Sequence, residues 1–376
     1  MTWSFERAIG ELVRSLAVLA QMARLRPISL GFYRYALQWR PTDYVLWYDF
    51  ASASLHFGRP EQAEKAFRRV LEMNPSLAAA QYYLGEALLD RGRHDEAITL
   101  FQQVIEQEPD AALPHYNLGF GLAALNRHEE ALPAFVEAVR LAPDWPDAST
   151  YVGICYEEAR QPGRATPWLQ KSVRLRGSRD DYVRLGANLR ALEQLPEAEA
   201  AFRKALALDS RCCDVRLNLA SVLLEERRFE EALRILDGAT GGHSDALLQS
   251  FTSVVLVHLE RLDDARRAAQ RAIELGPTLG YPHFSLGYVR LAAGEASAAL
   301  GEFETAIQIE GNHPNFLAGK AQALSETGQH ADAVKVFHEV MEIDPELMSK
   351  EPELGQAYER SRAALGQSGD LGLPGN

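Results

Sequence analysis

The sequence predicts an all-α fold: a solenoid of roughly ten stacked helical hairpins. Three observations carry that prediction. Sliding residues 78–145 by 34 positions lays one half on the other, with Tyr82 on Tyr116, Leu84-Gly85 on Leu118-Gly119, Arg93-His94 on Arg127-His128, Phe101 on Phe135 and Pro109-Asp110 on Pro143-Asp144. Registered copies start at residues 44, 78, 112, 146, 179, 213, 246, 280 and 314, a spacing of 34 that is twice shortened to 33. Pro75, Pro109, Pro143, Pro277 and Pro345 close five of these copies. A period of this length marks an array in which length counts repeats, not globular domains.

In chain order, residues 1–43 give an N-terminal amphipathic helix and a degenerate first repeat. Phe5, Ile9, Leu12, Leu16, Leu19 and Ala23 step by three and four along one face of a helix over residues 3–26, which Pro27 is expected to end. Ser29, Tyr33 and Ala36 precede Pro41 at the offsets later repeats use, which predicts a second helix over residues 28–40. Residues 44–178 form regular repeats and residues 179–350 further repeats after an irregular junction. Residues 174–181 lack the closing proline, and Gly238, Gly241 and Gly242 make residues 237–245 permissive; at both places a variant turn in a continuous solenoid is preferred to a hinge. Residues 351–365 are expected to cap the last hairpin, and residues 366–376 to form a disordered tail.

The columns have a physical basis. Small residues (Ala51, Gly85, Gly119, Gly153, Gly186, Ala220, Ser253, Gly287, Ala321) stand in the first helix of each unit. The second helix carries alanine without exception, from Ala63, Ala97 and Ala131 to Ala299 and Ala333. Four residues later comes a large apolar residue, usually phenylalanine as at Phe67, Phe101, Phe135, Phe202, Phe303 and Phe337. A 34-residue unit cannot bury its own apolar stripe, so small residues admit close approach and the aromatic fills the gap. Gly58, Gly92, Asn126, Gly294 and Gly328 supply permissive backbone at the turn within a hairpin.

Trp47 with Ala63, Phe67 and Pro75, and Leu84-Gly85 with Ala97, Phe101 and Pro109, reproduce parts of a known pattern: Trp, two residues, Leu-Gly, two residues, Tyr, then Ala, three residues, Phe, then Pro. On these residues the chain resembles the tetratricopeptide repeat family over about residues 44–345, although His115 and Leu122 replace its first-helix aromatics. The resemblance implies a right-handed superhelix whose concave groove, lined by the first helix of each hairpin, binds peptides or proteins.

Composition and motifs bound the function. A net charge of −13 disfavours nucleic acid as the main ligand. Three cysteines, two of them vicinal (Cys212 and Cys213), give no disulfide framework and fit a cytoplasmic location. Charged Glu6, Arg7, Glu11 and Arg14 interrupt the N-terminal apolar run, so no secretory leader is expected. The Gly119-Phe120-Gly121 stretch has no preceding strand, and the helix around His338 and Glu339 has Glu342 where a second metal-binding histidine would stand. No catalytic residue, metal ligand or cofactor is therefore expected, and the chain is read as a non-enzyme. His94 and His128 read as solvated turn residues. Glu61 with Lys65, Glu64 with Arg68 and Glu230 with Arg234 read as a solvated outer face.

The candidate binding groove is a row on the first helices: Tyr48, Tyr82 and Tyr116 in one column, Tyr83, Asn117, Tyr151 and Asn218 in the next, and Glu86 and Phe120 one turn further on. Aromatic rings give contact area and amides bond a peptide backbone. Truncating Tyr82 and Tyr116 to alanine is then expected to weaken ligand binding with stability nearly unchanged, whereas a large loss of stability would mean that the rings pack between hairpins. The resemblance also brings the carboxylate clamp for acidic chaperone tails to mind, but its lysines are missing. Glu86, Asp90, Asp147, Glu157 and Glu158 favour instead an apolar or aromatic ligand with basic residues. The expected function is a scaffold or adaptor for a peptide or partner protein. The alternative is a substrate-recruiting subunit of a glycosyltransferase or other modifying enzyme supplied on another chain, since Asn117 and Asn218 partly resemble that family's asparagine ladder. Nine aromatic residues between Phe32 and Phe57 are read first as a cap burying its own rings, with a membrane or partner contact as the lesser alternative.

Overall fold

The computed structural model describes residues 2–22, 25–237 and 243–366, and every regular element among them is helical. Two compact units divide the chain, residues 1–192 and 193–376. The first contains the hairpins α1 (Thr2–Met22) with α2 (Arg26–Trp39), α3 (Tyr44–His56) with α4 (Pro60–Met73), α5 (Ala78–Leu89) with α6 (His94–Gln107), α7 (Ala112–Ala124) with α8 (His128–Leu141) and α9 (Pro146–Glu158) with α10 (Pro162–Leu175), followed by α11 (Arg179–Ala191). The second begins with α12 (Leu195–Leu208) and continues through α13 (Cys213–Glu225) with α14 (Phe229–Leu236), α15 (His243–His258) with α16 (Leu262–Leu275), α17 (Gly280–Ala292) with α18 (Ala296–Glu310) and α19 (Pro314–Glu326) with α20 (His330–Ile343). Short α21 (Leu347–Lys350) and α22 (Pro352–Ala364) close it. Within each unit, consecutive helices pack against one another as an α-solenoid does. The glycine-rich stretch 238–242 and the tail 367–376 lie outside the described residues.

The predicted columns account for this packing. Ala63, Ala97, Ala131, Ala165, Ala198, Ala232, Ala265, Ala299 and Ala333 are all fully buried, as are Phe67, Phe101, Phe135, Phe202, Phe303 and Phe337. A Cβ added to Gly85 would stand 2.7 Å from the Phe101 ring, and one on Gly119 2.9 Å from Phe135. The glycine column is thus the seat of the aromatic on the second helix of the same hairpin. All nine turns inside the regular hairpins take a positive φ, at Gly58, Gly92, Asn126, Arg160, Glu193, Arg227, Glu260, Gly294 and Gly328. Five of them are not glycine; Asn126 tolerates the left-handed region, and Arg160, Glu193, Arg227 and Glu260 place an ordinary side chain there.

The N-terminal hairpin departs from expectation in two ways. Pro27 lies in the first turn of α2 instead of ending α1, using the position where a missing N–H costs nothing. Among the described side chains of α1, Val13, Ala17 and Ala20 are buried, while Leu12, Leu16 and Leu19 face solvent. Small side chains win the inner face because the helices approach closely, with the Ser29 hydroxyl donating to the Ala17 carbonyl at 3.0 Å. In α2, buried Tyr33 takes the place that phenylalanine holds in later repeats.

Glu64 is a further correction, since it is 5% exposed instead of solvated. Arg68 at 2.9 Å, Arg93 at 2.5 Å and Arg91 donate to it, and these arginines hold its carboxyl below the usual range against the opposing effect of burial. The same offsets in the second unit give Glu199 with Arg203 at 2.6 Å and Arg228 at 2.7 Å. His94 and His128 are likewise half-buried, each with a Nδ1 shielded from water and without a partner.

At the irregular junction, Gly177 takes φ 62° and Ser178 caps α11 in a reciprocal capping box with Asp181. Buried Asp181 accepts from the Ser172 hydroxyl at 2.8 Å, the Ser178 hydroxyl at 2.6 Å, the Ser178 N–H at 2.9 Å, and Arg176 at 2.6 and 2.8 Å. A carboxylate clasp thus replaces the missing proline.

Candidate functional site

The first helices of successive hairpins in the first unit adjoin, α3 beside α5 and α5 beside α7, which brings the tyrosine columns together. Their contacts follow a repeated scheme. Tyr48 meets Phe67 edge-on at 5.7 Å, and Tyr83 from the next hairpin stacks on that same Phe67 at 6.0 Å. Two hairpins along, Tyr116 meets Phe135 edge-on at 5.6 Å and Tyr151 stacks on Phe135 at 4.9 Å. The intervening hairpin has Tyr82 against Phe101 at 5.9 Å, but Asn117 stands where a tyrosine would stack.

Asn117 changes the chemistry at that step. The Tyr82 hydroxyl donates to Glu86 Oε1 at 2.7 Å, and Asn117 Nδ2 donates to the Tyr82 oxygen at 3.0 Å and to Glu86 at 3.4 Å. With the amide nitrogen and the phenol hydrogen so engaged, the Glu86 carboxylate and the Asn117 carbonyl are the groups left to meet a ligand, and both are acceptors. Burial raises the Tyr82 and Tyr116 hydroxyls well above the usual tyrosine range, and those of Tyr48 and Tyr151 above it too, so all four stay protonated at neutral pH.

Tyr48, Tyr82, Tyr83, Tyr116, Tyr151, Glu86 and Asn117 are half-buried, and Phe120 is exposed with its ring edge-on to Tyr151 at 5.8 Å. The tyrosines therefore pack between hairpins and also keep part of each ring in the open. Asn218 lies half-buried on α13, which belongs to the second unit. Two acidic residues of the face are paired: Glu157 with Arg184 at 3.1 Å, and Asp147 with Arg176.

Sequence reasoning missed Trp145, which stacks on Tyr116 at 4.3 Å from the linker before α9. It also missed an aromatic cluster in the second unit, where Phe284 meets Phe303 at 5.9 Å and Phe316 at 5.4 Å, and Tyr281 meets Phe316 at 5.2 Å. Phe284 occupies the column of Tyr48, Tyr82 and Tyr116, which was the available signal. A polar cleft of about 450 Å³ lies at the turns, lined by residues 126–130 with Glu158 and Ala159, and includes none of the tyrosines. Cys155, Cys212 and Cys213 are free thiols, and a ring nitrogen of His338 hydrogen-bonds the Tyr358 hydroxyl at 2.9 Å.

No curated protein is a detectable sequence relative. Among solved structures, MamA from Desulfovibrio magneticus RS-1 is similar at 20% identity and TM-score 0.43, over 44% of this chain and 94% of that one. Yeast Tom70 is similar at 13% identity and TM-score 0.49, over 96% of each chain. YrrB, described as a TPR protein with an unusual peptide-binding site, is similar at 20% identity and TM-score 0.44, over 52% of this chain and 97% of its own. Models of the tetratricopeptide repeat match residues 48–112, 112–145, 189–254 and 290–349, together more than half of the sequence. The chain belongs to the tetratricopeptide repeat family.

Proposed function

We propose that the protein is a non-enzymatic interaction scaffold, and that the face built by α3, α5, α7 and α9 holds an extended peptide or a segment of a partner protein. The observation that carries this is the Tyr82–Glu86–Asn117 group set between two aromatic pairs, with Phe120 exposed beside them. Packing explains why each ring touches a buried phenylalanine. It does not explain a half-open carboxylate with acceptor valence to spare or an exposed phenylalanine on the same surface. Those features fit a ligand bearing N–H or cationic donors next to apolar or aromatic side chains. Asn117, one of two residues behind the modifying-enzyme alternative, commits its amide nitrogen to Tyr82 and Glu86, so that alternative gains nothing here.

A photo-crosslinking amino acid placed at Phe120, and separately at Lys65 on the exposed side of α4, tests the reading in living cells. Discrete adducts at position 120 that are absent at 65 and disappear with Glu86→Lys are the expected result. Equal adducts at both positions, or none at 120, would overturn it.

A further inference from the structure

The outer faces of α22 and α1 differ in character. At the C-terminal end, α22 packs on α19 and α20 through buried Leu354, Ala357 and Tyr358, and turns Glu353, Gln356, Glu359 and Arg360 outward. That is the polar outer face a terminal repeat needs to stay soluble. Among the described side chains of α1, Leu12, Leu16, Leu19 and Met22 fall at i, i+4, i+7 and i+10 in an exposed apolar stripe flanked by Glu11 and Ser15, with Leu12 63%, Leu19 61% and Met22 76% exposed. On α2, Ile28, Tyr35 and Trp39 are exposed as well, the last two in ring contact at 6.3 Å.

Charge identifies what would cover this face. Residues 1–40 contain six arginines and two glutamates, net +4, in a chain whose total is −13; Arg14 is paired with Asp49, and Arg40 with Asp43 and Glu11, while Arg34 is exposed. A second copy joined through the same face would bring two positive surfaces together, and the polar outer side of α22 offers no apolar counterpart. No helix among the described residues is long and apolar enough to cross a membrane. An anionic lipid surface fits these features: leucines enter the acyl boundary, tyrosine and tryptophan sit at headgroup level, and exposed Arg34 meets lipid phosphate. The acidic remainder of the chain is repelled from that surface, which orients the array away from it.

We propose that the α1–α2 hairpin docks the protein peripherally on an anionic membrane. The test is flotation of the full chain with vesicles of phosphatidylcholine alone and with phosphatidylglycerol added, alongside Leu12→Glu/Leu19→Glu and Arg34→Glu, three positions exposed in the fold. The proposal expects flotation with the anionic vesicles only, weakened by salt, reduced by Arg34→Glu and lowered at least about tenfold in the double variant, with unchanged melting. Failure to float with either vesicle, or undiminished flotation of the double variant, overturns it. So does a wild-type dimer in light scattering that the double variant dissolves while vesicles bind neither form, which would assign the face to a second copy.

Discussion

Asp181→Asn is the substitution for which the structure gives the most definite expectation. The carboxylate side chain is 1% exposed and accepts from three side chains and one backbone N–H, joining the end of α10 to the cap of α11. Asparagine keeps one acceptor oxygen and turns an NH2 toward donors, so the Arg176 pairing and the capping box cannot both survive. A buried hydrogen bond to a charged group is worth about 1.5–3 kcal/mol and a helix N-cap about 1 kcal/mol. Arg176 is partly exposed and retains Asp147, which discounts its share. A loss of about 3 kcal/mol follows, or a Tm lower by roughly 6–12 °C for a cooperative unit of this size. Thermal melting by circular dichroism measures it, with Asp147→Asn as the control expected to cost under about 1 kcal/mol. The neighbouring arginine and serines hold the Asp181 carboxyl far below the ordinary aspartate range. Its contribution is therefore complete above the unfolded value of about 3.9 and is lost as pH falls from there toward the depressed folded value. Wild type should lose stability across that window more steeply than Asp181→Asn. Equal melting of Asp181→Asn and Asp147→Asn, or parallel pH profiles, would refute the assignment of the junction to this carboxylate.

The remaining expectations are more local. Glu260→Gly, at an exposed turn with φ 58°, should stabilise by about 0.5–1 kcal/mol in urea unfolding, because relief of left-handed strain exceeds the extra chain entropy of glycine; a destabilised variant would show that this turn is not strained. Ala131→Asp places a charge at a fully buried helix contact and should cost several kcal/mol, on the order of an unpaired buried charge, so unchanged melting would sink the repeat register. Tyr82→Ala with Tyr116→Ala should lower stability by about 2–4 kcal/mol in total, since each half-buried ring supports a neighbour, whereas Phe120→Ala should stay within about 1 kcal/mol. A pair of tyrosine truncations that melts like wild type would mean the rings carry no packing.

What was legible in the sequence was whatever a period can encode. The alanine and phenylalanine columns have a residue-type signature, and the glycines opposite them are required by the 2.7 Å approach at Phe101. The turns at Arg160, Glu193, Arg227 and Glu260 carry no such signature, and only their register predicts a positive φ. Periodicity finds the leucine stripe of α1 but cannot say which side is inner; close approach at Ala17 and Ser29 decides that. Helical spacing pairs Glu64 with Arg68, yet the arginines that make Glu64 a buried group come from the next hairpin, beyond any local pattern. The tyrosine row was visible for the same reason as the columns, while Trp145 was not, because it sits in a linker where the repeat imposes no residue type.

The alternation of tyrosine and asparagine in the second column has a consequence for the ligand. Tyr48 with Tyr83 and Tyr116 with Tyr151 are ring pairs at 6.0 and 5.8 Å, separated by the acceptor group around Glu86. Neighbouring helices lie about 8–10 Å apart, and an extended peptide rises about 3.3 Å per residue. On the proposed face the two aromatic pairs, two hairpins apart, are then about six residues apart along an extended ligand, with the acceptors about three residues from each. A peptide with aromatic residues at i and i+6 and arginine at i+3 should therefore bind better than one of the same composition with arginine moved to i+1. Glu86→Gln should reduce that preference without abolishing binding, because the ring contacts are unchanged. Equal affinity for the two peptides in fluorescence anisotropy would mean that the alternation serves packing alone.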